Sequence, residues 1–392
     1  MFVYKSTHLL KERQIQLGSY YTPERLVRRV YEFIEPYIEK NKKNVIIFDN
    51  AAGCGAFIIG MKAHDYRAAD YDLEAYSFLK ENLDDKRVFY NNSLVDISRE
   101  KYNIPRNSFL IQIGNPPYND TTSEFKNGQK GKNVCDDDLA DRDSGVSFLK
   151  SYNKLKADVV CVLHPLSYLI KEANFKRLKE FRENYVLRRA VVFPSSLFSG
   201  TGTIKFPIII ALYEINSKGI TYDFIKNFEF SVLDSDKSFK LSNYETTDGY
   251  IHKYPPGKSD VRVSDIDLYY YTFRDLNSLR KNTSFLNKII PNGIVVSLDN
   301  FYKYSYLYAI KTLFKTDDIW MYGNLSPLVK RGLVEKNRKL FAAYALKTNP
   351  IIKGMDKKII KKISKHYQMD SNQFNNIEQL ERNIQNIFTQ LQ

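Results

Sequence analysis

The sequence predicts an α/β protein built on a mostly parallel sheet with helices on both faces. Two observations carry this expectation. Through the first half of the chain, apolar runs of strand length alternate with stretches that repeat their apolar residues at helical spacing. The strand-length runs are rich in Val, Ile and Phe, as strands covered on both faces are.

In chain order, the first helix is expected over Glu24–Glu39, where Leu26, Val30, Phe33 and Tyr37 recur at helical spacing. Thr22 is its expected N-cap and Pro23 its first helical residue. Strands are expected at Val45–Phe48, at a run ending on Asp70, and at Val88–Tyr90, Phe109–Ile113 and Val159–Leu163. Helical stretches follow at Ala56–Ala63, Glu74–Asn82 and Lys171–Asn184. Leu187–Phe193 and Phe206–Tyr213 read as a closing pair of strands. Between Asn119 and Gly145 lies a long polar loop, a length usually kept for function.

From about Ser217 the periodicity becomes irregular and Asn, Ser, Tyr and Lys dominate. Two domains are therefore expected, 1–216 and 217–392, in keeping with a length prior of roughly two to three. The extreme C-terminus carries Ile377, Leu380, Ile384, Ile387 and Leu391 in a stripe. That pattern suits a helix packed on its own domain and is too short for a coiled coil.

The formal charge is +14, which suits a polyanionic partner, although a solubilising surface or a Lys-rich codon bias gives the same balance. Cys54, Cys135 and Cys161 match no zinc or disulfide framework, and the five histidines form no metal motif. No metal is expected. The apolar runs are far too short to span a bilayer, and the N-terminus lacks a signal-peptide core, so the expected location is the cytoplasm, with no membrane partner.

Two segments carry chemistry. The first strand runs into Asp49-Asn50-Ala51-Ala52-Gly53-Cys54-Gly55-Ala56-Phe57. Gly53 and Gly55 allow a sharp strand-to-helix turn and the close approach of a ligand. About twenty residues on, Asp70, followed by Tyr71, places a carboxylate where it accepts both hydroxyls of a ribose. With no third Gly and no Lys-Ser/Thr, the loop does not fit a phosphate cradle. A nucleoside without phosphates fits better, and S-adenosylmethionine is such a ligand.

About sixty residues beyond the Gly loop, another strand ends in Gly114-Asn115-Pro116-Pro117-Tyr118. An adenine amine is a poor nucleophile, because its lone pair is delocalised into the ring. Two acceptors on its hydrogens, the Asn115 side-chain oxygen and the Pro116 carbonyl, favour the tetrahedral form. The two prolines stiffen that pair, which amounts to preorganised electrostatics rather than proton abstraction. Tyr118 offers a flat face to the target base. Read alone, Asn-Pro-Pro is also an ordinary tight turn; its place after an apolar strand favours the catalytic reading.

These residues resemble the gamma-type amino DNA methyltransferases of restriction–modification systems, over roughly residues 15–215. Gly18-Ser19-Tyr20-Tyr21-Thr22-Pro23 resembles the motif that closes over the methionine end of the cofactor. Asp49 to Phe57 resembles the Gly-rich motif, with Asn50 where proline is common. Asp70 matches the ribose acid, and Asn92 stands where the family usually has Asp. Asn115-Pro116-Pro117-Tyr118 matches the catalytic motif without departure. Val159–Tyr168 resembles the next strand and loop. Phe193–Phe198 with Lys205–Tyr213 resembles the region whose Phe packs on the flipped base; Phe198 is favoured, with Phe193 and Phe206 as alternatives.

The resemblance implies a Rossmann-like S-adenosylmethionine-dependent methyltransferase fold with an antiparallel last strand, plus a C-terminal target-recognition domain. It implies S-adenosylmethionine as cofactor, held by Tyr21, Thr22, Pro23, Asp49, Ala51, Gly53, Gly55, Phe57, Asp70, Tyr71, Asn92 and Asn115. It implies duplex DNA as substrate, with a flipped adenine between Tyr118 and Phe198. A cognate restriction endonuclease is the implied partner, and a chain carrying both domains can act as a monomer. Lys330, Arg331, Lys336, Arg338 and Lys339, in a stretch (330–365) with twelve basic and two acidic residues, are the expected backbone contacts. The rival readings are an RNA or protein-glutamine N-methyltransferase, which shares the tetrapeptide, and a non-catalytic nucleic-acid-binding protein.

Overall fold

A computed structural model describes residues 22–42, 44–61, 64–118, 135–198, 206–246, 263–272, 276–313, 328–330, 332–369 and 376–389. The chain divides into two compact units at Lys240/Leu241.

Unit 1 opens with helix α1 (Glu24–Lys40), whose Leu26, Val27, Val30, Phe33, Ile34 and Ile38 form a buried stripe. The parallel strands are β1 (Val45–Asp49), β2 (Asp65–Asp70), β3 (Val88–Tyr90), β4 (Phe109–Gly114) and β5 (Val159–Pro165). Helix α2 (Leu73–Asn82) connects β2 to β3, and α3 (Ser144–Lys154) precedes β5. Short helices α4 (Ser167–Ile170), α5 (Glu172–Arg177) and α6 (Glu180–Asn184) lead to β6 (Tyr185–Pro194) and β7 (Pro207–Ile215). After α7 (Tyr222–Asn227), β8 (Phe230–Val232) and β9 (Ser238–Phe239) close the unit.

The sheet order is β3-β2-β1-β4-β5-β7-β6-β8-β9. The first five strands run parallel, and β7 lies antiparallel between β5 and β6. This is the Rossmann-like arrangement with an antiparallel last strand that the resemblance implies. All five residues of β1 are buried, because helices cover both faces of the sheet and leave no solvated side for alternation. Strand order reverses between β1 and β4, so their carboxyl ends bound a switch-point crevice.

Several elements depart from the sequence reading. The division falls at 240/241 rather than 216/217, because β8 pairs with β6 and β9 with β8, extending the sheet past the expected boundary. Within the expected helix Ala56–Ala63, residues 56–61 form turns and one 3-10 turn (Ile59–Met61) instead of an α-helix, and the last two positions lie outside the described residues. Lys171–Asn184 is broken in two, with Lys179 at φ +45° between α5 and α6. Helix α3 is missed by the periodicity, since eight consecutive residues (Gly145–Tyr152) are buried and no polar face marks it. Helix α1 is capped by Pro23, not Thr22, whose hydroxyl is engaged elsewhere.

Unit 2 contains β10 (Tyr244–Thr246) paired with β14 (Leu328–Lys330), and an antiparallel sheet of β11 (Leu268–Tyr271), β12 (Phe285–Leu286) and β13 (Gly293–Val296). Its helices are α8 (Leu276–Lys281), α9 (Phe301–Leu313), α10 (Leu333–Lys336), α11 (Arg338–Thr348), α12 (Pro350–Lys353), α13 (Lys357–His366) and α14 (Ile377–Thr389). The core is aromatic: Tyr270 packs on Phe285 and Tyr304, and Phe301 on Tyr367. The C-terminal stripe buries Leu380, Ile384 and Ile387 in α14, which packs on α11 and α9, as expected of a helix on its own domain; Leu391 lies outside the described residues. Among the described residues, no helix is long and apolar enough to cross a membrane.

Candidate active site

The carboxyl ends of β1 and β4 are adjacent, with Asp49 paired in register to Ile113. That register puts the Gly loop beside the Asn-Pro-Pro-Tyr segment. The contact is close: a Cβ on Gly114 would lie 2.8 Å from Asp49 Oδ1. Gly114 has φ +150°, a conformation that L side chains rarely adopt, so glycine is required on both counts.

Asp49 is buried (1% exposed). Its Oδ1 accepts from Ala51 N at 3.1 Å, while Oδ2 has no hydrogen-bond partner among the described residues. Burial pushes its pKa up to about 8; the Ala51 amide opposes the shift, and neighbouring Asp70 adds to it. Below Asp49, Asn50 is buried and bonded to Gln112 Nε2 (3.2 Å) and Ser151 Oγ (3.4 Å), so a polar network joins the loop to β4 and α3. The asparagine in place of proline thus serves the interior.

Gly53 has φ +52° with open space where a Cβ would sit, so its backbone is bare to an approaching ligand. Asp70 ends β2 and is partly exposed. Its carboxylate accepts from Gly53 N at 2.7 Å and Asp72 N at 2.9 Å, clamping the loop. Burial raises its pKa, and those amides counter the shift. Two carboxylate oxygens offer about four acceptor sites, so the clamp leaves room for hydroxyl donors. Tyr71 is 63% exposed and stacks on Tyr90 at 6.0 Å. Gly55 abuts Leu79 of α2. Phe57 points into the core, and its carbonyl accepts from Tyr31 OH at 2.5 Å. Asn92 turns its Oδ1 onto Leu94 N at 3.0 Å, a local turn in the slot where the resemblance places an acid.

Asn115 is the meeting point. Its Nδ2 donates to Thr22 Oγ1 at 3.2 Å, and its Oδ1 accepts from Tyr118 OH. The first bond fixes the amide with its oxygen turned away from Thr22 and draws the start of α1 to the end of β4. Pro116 is buried, and Tyr118 is partly buried against the core. The Pro117 carbonyl accepts from Ser144 Oγ at 2.8 Å. Ser144 opens α3, which Asp143 caps by accepting from Gly145 N at 3.1 Å; Asp143 also accepts from the buried Tyr168 OH. Ser144, Asp143 and Tyr168 hold the tetrapeptide's backbone. The sequence reading missed the first two because they sit at the end of its expected loop.

The expected residues divide clearly. Thr22, Pro23, Asp49, Ala51, Gly53, Asp70, Asn115, Pro116, Pro117 and Tyr118 are joined through the bonds above or lie next to residues that are. Phe198 is turned inward, 2% exposed, with its ring edge-on to Phe193 at 5.8 Å. In this conformation it presents no face to a base; an apolar ring beside a hydrophobic core is buried by it. Phe193 is also fully buried, while Phe206 keeps accessible surface. Lys336 and Arg338 are exposed on α10 and α11, Arg338 pairs with Glu335 at 3.3 Å, and Lys339 is half-buried. Lys330 lies on β14. Tyr21, Arg331 and most of the 119–145 loop lie outside the described residues.

A cavity of about 830 Å³ opens elsewhere, at the amino ends of β1 and β2, lined by Tyr31, Glu35, Val45 and Asp65 among others. It lies at the opposite sheet edge from Asn115 and takes no part in this site.

No protein-family profile matches the sequence, and the search of curated proteins found no relative. Similar solved structures include a candidate class I S-adenosylmethionine-dependent methyltransferase from Listeria monocytogenes, at 18% identity over 58% of this chain and 68% of that one (TM-score 0.41). A type I restriction-modification methyltransferase subunit from Streptococcus thermophilus matches at 15% identity over 50% of this chain and 44% of its own (TM-score 0.35). A candidate RNA methyltransferase from Pyrococcus horikoshii matches at 18% identity over 51% and 88% (TM-score 0.34). At these scores the likeness is loose, and the fold stands on the strand order and register.

Proposed function

We propose that the chain is an S-adenosylmethionine-dependent DNA methyltransferase acting on the exocyclic amine of adenine. The observation that supports it most is Asn115 itself. The residue sits at the switch point, its amide oriented by Thr22, beside a Gly loop clamped by Asp70.

The crevice residues fit the cofactor. Gly53 leaves its backbone open, Asp70 has acceptor capacity for ribose hydroxyls, Tyr71 is largely exposed, and the buried Asp49 Oδ2 has no partner among the described residues. When bound, S-adenosylmethionine supplies an already activated methyl group, so no strong base is needed. The protein's task is then to aim the amine. Asn115 Oδ1 and the Pro116 carbonyl accept its two hydrogens and turn its lone pair outward. The Ser144–Pro117 bond and the proline rings hold that pair still. Tyr118 OH rests on Asn115 Oδ1. An incoming amine displaces that hydroxyl or shares the oxygen's second lone pair, and the ring is then available to stack on the base. Adenine within a duplex cannot reach this crevice, so the base is flipped. Of the three phenylalanines considered, Phe206 is the better second wall unless Phe198 rotates out. Unit 2 serves as the target-recognition domain.

The test is methyl transfer from labelled S-adenosylmethionine to duplex DNA free of methyladenine. We expect N6-methyladenine with the wild type and at least a 100-fold lower rate with Asn115→Ala, roughly the loss seen when one preorganised donor or acceptor is removed. Label on RNA or protein instead would reassign the substrate. Tight cofactor binding without transfer to any acceptor would favour the non-catalytic reading.

A further inference from the structure

We propose that α13 is the surface by which unit 2 grips the phosphate backbone of duplex DNA, an inference that rests on the DNA-methyltransferase reading and specifies where its substrate is held. The helix reads Lys357-Lys358-Ile359-Ile360-Lys361-Lys362-Ile363-Ser364-Lys365-His366 and contains no acid. All five lysines are exposed. Their spacing of three and four residues gathers them on one side. The other side is committed: Ile363 is fully buried, and Tyr367, just past the helix, is 3% exposed and donates its hydroxyl to the Leu298 carbonyl. The basic face is therefore held in a fixed orientation. On the apolar side Ile359 and Ile360 are half-buried beside the buried Ile363, so most of that side is turned into the unit.

Among the described residues, no carboxylate neutralises the charge on this face. Elsewhere, exposed cations sit on carboxylates: Lys80 on Asp85, Lys176 on Glu172, Lys226 on Asp223. Among the described residues, none of the five α13 lysines lies within ion-pair distance of an acid; Lys362 Nζ donates to the Asp265 backbone carbonyl at 2.8 Å. His366 faces Asp299 at 3.7 Å. The arrangement costs the helix stability on its own. Lys357–Lys361, Lys358–Lys362 and Lys361–Lys365 are like-charge neighbours one turn apart. Lys357 and Lys358 also stand in the first turn, where the macrodipole disfavours cations. Asp356 offsets part of this by capping Lys358 N at 2.7 Å. A polyanion laid along the face would reverse the sign of the remaining repulsion.

The geometry matches a nucleic-acid backbone. Lys357, Lys361 and Lys365 repeat about every 6 Å along the axis and span about 12 Å. A duplex carries one negative charge per about 1.7 Å, so several phosphates meet the row. Lysines act as point charges and read no bases, so this grip is independent of sequence. The expected contacts Arg338 and Lys339 are less suited, one being paired to Glu335 and the other half-buried.

The test uses the full chain and a fluorescent mixed-sequence duplex, with affinity measured by anisotropy across a salt series. The variants are K357Q/K361Q/K365Q, the same three positions as Arg, and a control K80Q/K176Q/K226Q. Removing three phosphate contacts should flatten the slope of log K against log salt by about 2.7, so a fourfold rise in salt costs the variant about 40-fold less affinity than the wild type loses. The Arg variant and the control should keep the wild-type slope, and all four proteins should bind S-adenosylmethionine equally. An unchanged slope in the Gln variant, with a wild type that binds DNA, would remove α13 and leave the methyltransferase reading standing. A wild type that binds no duplex at any salt would overturn both. Binding to anionic lipid vesicles that exceeds duplex binding and vanishes in the Gln variant would make α13 a membrane surface instead.

Discussion

At the residue scale, the site is a set of side chains that hold one another in place before any substrate arrives. Tyr118 illustrates this, since its hydroxyl covers the acceptor oxygen of Asn115 while its ring is partly exposed. The two functions can be separated. Tyr118→Phe keeps the stacking face and uncovers the acceptor, so methyl transfer is expected within about threefold of wild type. Tyr118→Ala removes stacking worth roughly 1–3 kcal/mol, which should appear as about a 5- to 150-fold rise in KM for DNA. Steady-state kinetics on both variants checks this, and equal losses would mean that the hydroxyl, not the ring, matters.

Asp49 gives a pH signature. Its folded pKa is pushed up to about 8, mainly by burial, while the unfolded chain releases that proton in the ordinary carboxylate range. Between these values the native state binds more protons than the unfolded one. This contribution to stability is therefore full below about pH 4 and is lost as pH rises through about 8. Asp49→Asn has no proton to lose. Urea unfolding at pH 5 and pH 8 should show the wild type losing more stability across the interval than the variant does; parallel changes would place the charge burden elsewhere.

At the element scale, strand ends matter more than strand centres. The carboxyl ends of β1 and β4 carry the chemistry, and their other ends must be pinned to keep the register. Arg99 does much of that pinning. It donates to the carbonyls of Leu155 (2.9 Å), Ser108 (3.0 Å) and Lys156 (2.7 Å), and lies 3.7 Å from Asp158. These residues lead into β4 and β5. A planar guanidinium serves several carbonyls at once, which an ammonium cannot reproduce. Arg99→Ala leaves those carbonyls short of donors and should cost about 2–4 kcal/mol, with Arg99→Lys recovering less than half. Denaturant titration measures both; a loss under 0.5 kcal/mol would show the register to be held without it.

Helix α3 shows why elements escape a sequence reading. A helix buried nearly all round has no polar stripe, and its Ser and Lys residues look like loop. The same reason hid much of unit 2. Helix α9 buries ten of its thirteen residues, five of them Tyr or Phe with hydroxyls or rings facing other aromatics. Tyrosine-rich buried helices carry no clean hydrophobic period, so only assembly reveals them.

At the scale of the whole molecule, the sequence by itself determined the sheet and its chemistry-bearing edge. Strand runs, the Gly pair, Asp70 and Asn115-Pro116-Pro117-Tyr118 are local signals, because tight turns, buried strands and stiff prolines each impose their own residue types. Placement was decided by tertiary structure. Thr22 reads as a helix cap and proves to be the orienting partner of Asn115, 93 residues away. Asp49 reads as a ligand contact, and folding divides its carboxylate: one oxygen braces its own loop and the other is buried with no partner among the described residues. Phe198 reads as a wall for the base and lies in the core. The basic stretch 330–365 reads as one cluster, yet folding divides it, pairing Arg338 with an acid and leaving the α13 lysines on a face of their own. The reason is common to all four. Residue type determines what a side chain is able to do, but burial and partners depend on which distant segments pack beside it, and that depends on the free energy of the whole assembly.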